Sequence, residues 1–169
     1  MNDLSDITYI EGILPKEYGA DAVEIPGAAA VLESLDKAGA RWGVVTSGTC
    51  ALVDGWIQAL KLTRPDVVVT AEDVERGKPE PQCYLLGRSR IGLDESKTNI
   101  LVLEDAPSGI RAAKAAGFKV LALCTTHTPA QVRECEADWI VQDLRSISIN
   151  GVVDGKIQVE IRDALGGGG

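Results

Sequence analysis

The chain has no Cys-x-x-Cys pair, few aromatic residues, a single histidine and no apolar run long enough to cross a bilayer. Each shortage excludes something. Cys50, Cys83, Cys124 and Cys135 stand singly in different segments, which argues against a zinc site or a disulfide framework and for reduced thiols in the cytoplasm. With aromatics at 4%, a base-stacking platform for single-stranded nucleic acid has few residues to be built from. Basic side chains are outnumbered, 17 Lys and Arg against 25 Asp and Glu, and the net charge of −8 repels nucleic acid and anionic membrane surfaces at long range. No secretory signal pattern is seen, and no internal repeat.

What remains fits one core. A length of 169 residues with 45% hydrophobic and 25% charged side chains suits one globular domain with a small appendage. The segment that organises it is Ile100-Leu101-Val102-Leu103-Glu104-Asp105-Ala106-Pro107-Ser108-Gly109. Four successive apolar residues read as a strand covered on both faces, as in a parallel sheet between helices. It ends on two carboxylates, where open parallel sheets collect their ligands, so Glu104 and Asp105 are candidates to hold a hard cation such as Mg²⁺. Pro107 and Ser108 open the next helix.

Around this strand the chain alternates. Apolar residues at Leu4, Ile7, Ile10, Ile13 and Leu14 predict an amphipathic helix over 3–14, stopped by Pro15 and followed by an irregular connector over 16–25. A helix over 28–38 is expected to stop at Gly39. A strand over 41–45 runs into Thr46-Ser47-Gly48-Thr49, and a helix over 49–60 carries Leu52, Val53, Trp56, Ile57 and Leu60 on one stripe. Val67-Val68-Val69 is the next strand, and a polar connector delivers Gly77-Lys78-Pro79-Glu80-Pro81 before a helix over 81–88. Beyond the organising strand, a helix to Ala116, a strand over 118–123 with a polar end at Cys124-Thr125-Thr126-His127-Thr128, a helix over 129–135 and a strand over 138–141 repeat the pattern.

The alternation predicts an α/β, Rossmann-like, doubly wound and mainly parallel sheet. Asp154-Gly155 between the β-rich runs 149–153 and 156–161 predicts a C-terminal hairpin. Gly166 to Gly169 are expected to form a disordered tail.

Three strand-end features occur in order: hydroxyls at Thr46 and Ser47 with the Gly48 amide, an ammonium at Lys78, and acids at Glu104 and Asp105. Such a set can grip a phosphate. The hydroxyls and amide donate to its oxygens, the lysine neutralises charge, and the acids hold Mg²⁺ against it. His127, in a Thr-rich loop, is read as a surface residue rather than a base.

These segments resemble the second, third and fourth motifs of the haloacid-dehalogenase-like phosphatases: Val44-Val45-Thr46-Ser47, Gly77-Lys78-Pro79 and Leu103-Glu104-Asp105-Ala106-Pro107-Ser108-Gly109. Glu17-Tyr18-Gly19, Val23-Glu24-Ile25-Pro26-Gly27, Leu62-Thr63-Arg64-Pro65, Thr70-Ala71-Glu72-Asp73-Val74 and Tyr84-Leu85 extend the resemblance, most closely to fungal glycerol-phosphate and 2-deoxyglucose-6-phosphate phosphatases. It implies hydrolysis of a small sugar or polyol phosphate, with Thr46 or Ser47 on the phosphoryl group, Lys78 stabilising its charge, and Asp105 with Glu104 positioning Mg²⁺.

One departure stands out. The family's Asp-x-Asp-Gly-Thr motif, which carries the nucleophile and the general acid, has no counterpart, since no Asp-x-Asp occurs in these 169 residues. By resemblance, residues 1–25 form a remnant of a helical cap with its linker, and 26–165 a core without its central nucleophile strand. The strands ending at Thr46 and Leu103 are then expected to show unpaired edges open to self-association, unless they pair directly or the amino-terminal segment fills the gap. A chain inactive by itself is expected. A non-catalytic phosphate-binding or regulatory module, or a fragment needing complementation, is the alternative.

Overall fold

The computed structural model describes residues 4–94, 96 and 99–167. Two short parallel strands, β1 (Gly43–Val45) and β2 (Val67–Val69), form one sheet. A second sheet has β3 (Leu101–Glu104), β4 (Lys119–Leu123) and β5 (Trp139–Val141) in parallel. Helices α1 (Leu4–Tyr18), α2 (Ala28–Lys37), α3 (Cys50–Leu60), α4 (Gln82–Arg90), α5 (Pro107–Ala115) and α6 (Pro129–Arg133) lie between and around these strands. A hairpin, β6 (Ile147–Val153) and β7 (Lys156–Ile161), follows as a separate antiparallel sheet. This is the expected α/β architecture.

Side-chain alternation along the second sheet explains its two covered faces. Leu101, Leu103, Leu121, Leu123, Trp139 and Val141 point to one side, where Val31 and Leu35 of α2 and Ile147, Ile149, Val159 and Ile161 of the hairpin meet them. Val102, Val120, Ala122 and Ile140 point to the other, against Ile110, Ala112 and Ala113 of α5 and Val132 of α6. The hairpin is thus a flap over α2 rather than an added sheet edge. Its turn is Asp154-Gly155, with φ of 51° and 71°, the doubly left-handed geometry for which Asp-Gly is suited. Asp138 ties α5 to β4 by accepting from Lys114 Nζ, Lys119 Nζ and the Val120 amide, each at 2.8 Å. Burial opposes ionisation there, but these donors hold the carboxyl down at about 2.

The sheet is split where a gap was expected. Among the described residues β1 pairs only with β2, and β3 only with β4, so one edge of each has no strand partner. On one face α4 bridges the two halves, since Cys83 and Tyr84 share an apolar cluster with Val45 and Val69 of the first sheet and Val102 of the second. Near the first sheet an open apolar cavity of about 250 Å³ is lined by Leu32, Val44, Leu52, Trp56 and Ile57.

The amino-terminal segment does not fill that gap. Helix α1 packs instead along α3, and it runs through Pro15 to Tyr18 rather than stopping at the proline. Proline in a helix interior forfeits one backbone bond, yet here its ring lies against Gly55, where an added Cβ would fall 2.6 Å from Pro15 Cγ. Gly12 faces Ala51 and Gly19 faces Ala59 along the same seam. Close packing of small residues overrides the local breaker. Asp3, the expected start of this helix, lies outside the described residues.

The glycine tail also departs from expectation at its first two residues. Gly166–Gly167 form β8, antiparallel to β5 with Ile140 opposite Gly166 and Trp139 opposite Gly167. An open edge of β5 offers backbone partners that glycine, free of side-chain clashes, readily accepts. The remainder of the expected tail, residues 168–169, lies outside the described residues.

Candidate active site

Lys78 is the residue on which the strand ends converge. Its Nζ donates to the Val45 carbonyl at the end of β1, at 3.3 Å, and to Glu104 Oε1 at the end of β3, at 2.5 Å. One side chain therefore spans the gap between the two sheets. It also sits over the Tyr84 ring, 5.0 Å from the centroid. The Lys78 and Glu104 side chains are only 9% and 8% exposed, so the pair interacts across a medium that screens little. An ammonium has three N–H donors, and two of them are engaged by oxygens of the described residues.

The two acids, expected to share a cation, have different surroundings. Glu104 takes four donors: Lys78 Nζ and Tyr84 Oη on Oε1, and the Asp105 and Ala106 amides on Oε2 at 2.7 and 2.9 Å. Burial would raise its pKa, but the Lys78 charge and these hydrogen bonds outweigh it, and the carboxyl is held below the usual range. Burial, with the Glu104 charge beside it, pushes the Tyr84 phenol up, so it stays protonated as a donor. Each Glu104 oxygen thus accepts two hydrogen bonds from the described residues.

Asp105, one residue on, is half-buried. Its Oδ2 accepts from Thr125 Oγ1 and Thr126 Oγ1, at 3.2 and 2.9 Å, while Oδ1 takes no hydrogen bond from the described residues. A free carboxylate oxygen is a hard donor suited to Mg²⁺, which is commonly held by one or two carboxylates, waters and substrate phosphate oxygens. Among the described residues no group of three or more His, Cys, Asp or Glu forms a self-contained metal cage.

On the β1 side, the Thr46 amide donates to Val69 O, which fixes the turn at the strand end. The Gly48 amide, expected to face phosphate, donates at 3.1 Å to Thr46 Oγ1. That bond occupies a lone pair of the hydroxyl and leaves its O–H to donate outward. Ser47 is exposed, and Thr49 caps α3 by accepting from the Leu52 amide.

Three contributors escape a reading of the sequence by strand ends alone: Tyr84, Gly109, and the Thr125-Thr126 pair. Gly109 lies in the first turn of α5, and a Cβ there would stand 1.8 Å from Glu104 Oε1. Glycine is what admits the carboxylate beneath the helix. Tyr84 could have been flagged as the one aromatic residue of α4.

The α/β fold, with strand ends gathered at Lys78, invites comparison with known proteins. A haloacid dehalogenase-like hydrolase model matches residues 13–123. The chain is 39% identical over 156 residues to glycerol-1-phosphate phosphohydrolase 1 of Saccharomyces cerevisiae, covering 87% of this chain and 62% of that protein. It is 32% identical over 149 residues to 2-deoxyglucose-6-phosphate phosphatase 2 of the same yeast, covering 76% and 61%. A crystal structure of a hydrolase from Pseudomonas syringae superposes with a TM-score of 0.69 at 27% identity, covering 77% of this chain and 60% of that one. The chain belongs to the haloacid dehalogenase-like hydrolases. It spans about 60% of the length of these relatives.

Proposed function

We propose that this chain is the phosphate-gripping part of a hydrolase acting on a small sugar or polyol phosphate, such as glycerol phosphate or 2-deoxyglucose 6-phosphate, with Mg²⁺ as cofactor. The observation that carries this reading is the Lys78 bridge, which draws Val45-Thr46 and Glu104-Asp105 to one place. Thr46 and Ser47 donate their hydroxyls to phosphoryl oxygens, and the third N–H of Lys78 meets the charge that develops there. Glu104 holds Lys78 in place, and Asp105 Oδ1 holds the cation. Mg²⁺ supplies Lewis-acid polarisation of the phosphoryl oxygen when bound. The substrate class rests on the yeast relatives, and the four free thiols support a reducing compartment such as the cytoplasm.

The grip has no attacking group of its own. Among the described residues beside Lys78, Tyr84 is held protonated and Glu104 accepts four hydrogen bonds, so neither is an activated nucleophile. The 169-residue chain assayed by itself is therefore expected to hydrolyse phosphomonoesters no faster than background.

The split sheet favours a complementation reading over a purely regulatory module. The open edges of β1 and β3, with an apolar cavity near the first sheet, suit one extended, apolar segment. Adding a peptide in which such a segment ends in Asp-x-Asp-Gly-Thr is expected to give Mg²⁺-dependent release of phosphate from glycerol phosphate, lost in Asp105→Asn. A peptide that binds and yields no turnover contradicts the complementation reading. Turnover by the chain without any peptide contradicts the claim that it lacks a nucleophile.

A further inference from the structure

The loop after β4 reads in the sequence only as a polar strand end, yet in the fold it reaches across to the end of β3. Thr125 and Thr126 both direct their hydroxyls at one oxygen of Asp105, and Thr126 Oγ1 also lies 3.4 Å from the Asp105 carbonyl. Two donors on Oδ2 fix the rotation of the carboxylate, so Oδ1 has a set direction. Thr126 Oγ1 stands 2.9 Å from His127 Nδ1. Because the Thr126 hydrogen goes to Asp105, its oxygen accepts, and His127 must present Nδ1–H. The result is a directed chain from His127 to Thr126 to Asp105.

We propose that Thr126, oriented by His127, is a positioning residue that aims Asp105 Oδ1 at a divalent cation. The proposal rests on the reading of Asp105 as the acid that holds the cation. The Thr126 side chain is exposed, so the hydroxyl adds little to the core and a valine in its place leaves the fold intact. Partners that orient a metal-binding carboxylate are worth about 10- to 100-fold in metal affinity.

The test is a titration of the chain with Mn²⁺ as a spin-active substitute for Mg²⁺, followed by electron paramagnetic resonance at fixed inorganic phosphate. Thr126→Val is expected to weaken Mn²⁺ binding at least about tenfold while leaving the melting temperature unchanged, and Thr126→Ser to restore it. Asp105→Asn is expected to abolish binding. If Asp105→Asn abolishes binding and Thr126→Val does not weaken it, the positioning role is wrong and the cation reading stands. Serine failing to rescue also overturns the positioning role. Wild-type affinity in Asp105→Asn, or no binding by the wild-type chain, overturns the cation reading beneath it.

Discussion

Glu104→Ala is expected to destabilise the chain by about 3–5 kcal/mol, the range for removing one partner of a buried ion pair. The substitution leaves Lys78 charged and enclosed, Tyr84 Oη without its acceptor, and two amides at the start of α5 facing a void. For a domain of this size, where 1 kcal/mol shifts the melting temperature by about 2–4 °C, that is a drop of roughly 10 °C. Differential scanning calorimetry measures it. The pair also sets an acid limit. Because Glu104 is depressed in the fold, its contribution is present above the ordinary glutamate pKa and is lost as the pH falls through the lowered value. Glu104→Ala should therefore remove part of the loss of stability seen on acidification below about pH 4. A variant that melts like the wild type would show that the Lys78 anchor is not structural.

Gly109→Ala is expected to be nearly as costly, for a steric reason. The new Cβ would fall 1.8 Å from Glu104 Oε1, a distance no packing adjustment of the carboxylate alone can absorb, so Glu104 must leave Lys78 or α5 must shift. Overpacking of this kind costs about 1–3 kcal/mol, to which a displaced ion pair adds. The two substitutions should not add. In the Glu104→Ala background the obstacle is gone, and alanine at 109 becomes neutral or gains up to about 1 kcal/mol of helix propensity. A double-mutant cycle in urea measures the coupling. Additive costs would mean that Gly109 acts through something other than room for the carboxylate.

Much of the architecture was legible because it depends on local patterns. The apolar runs at Val67–Val69 and 100–103 and the Asp154-Gly155 turn each carry their own signal, and each falls where it was expected. The strand-end hydroxyls, ammonium and acids were legible for the same reason. What escaped depends on contacts distant in sequence. Pro15 reads as a stop until Gly55 is seen beneath its ring, 40 positions away. Nothing in the order of residues separates Glu104 from Asp105; only Lys78, Tyr84 and two amides, gathered by folding, occupy one acid and spare the other. The Thr125-Thr126 pair announced polarity but not its partner. Gly166 and Gly167 have no preference of their own and take the geometry that an open β5 edge offers.

The proposed site for phosphate beside a cation depends on convergence at Lys78. Isothermal titration of inorganic phosphate into the folded chain with Mg²⁺ present tests this most directly. Saturable binding that weakens in Ser47→Ala and disappears in Asp105→Asn is the predicted result. No heat from a wild-type chain that is folded by calorimetry, or equal binding by Asp105→Asn, would contradict it.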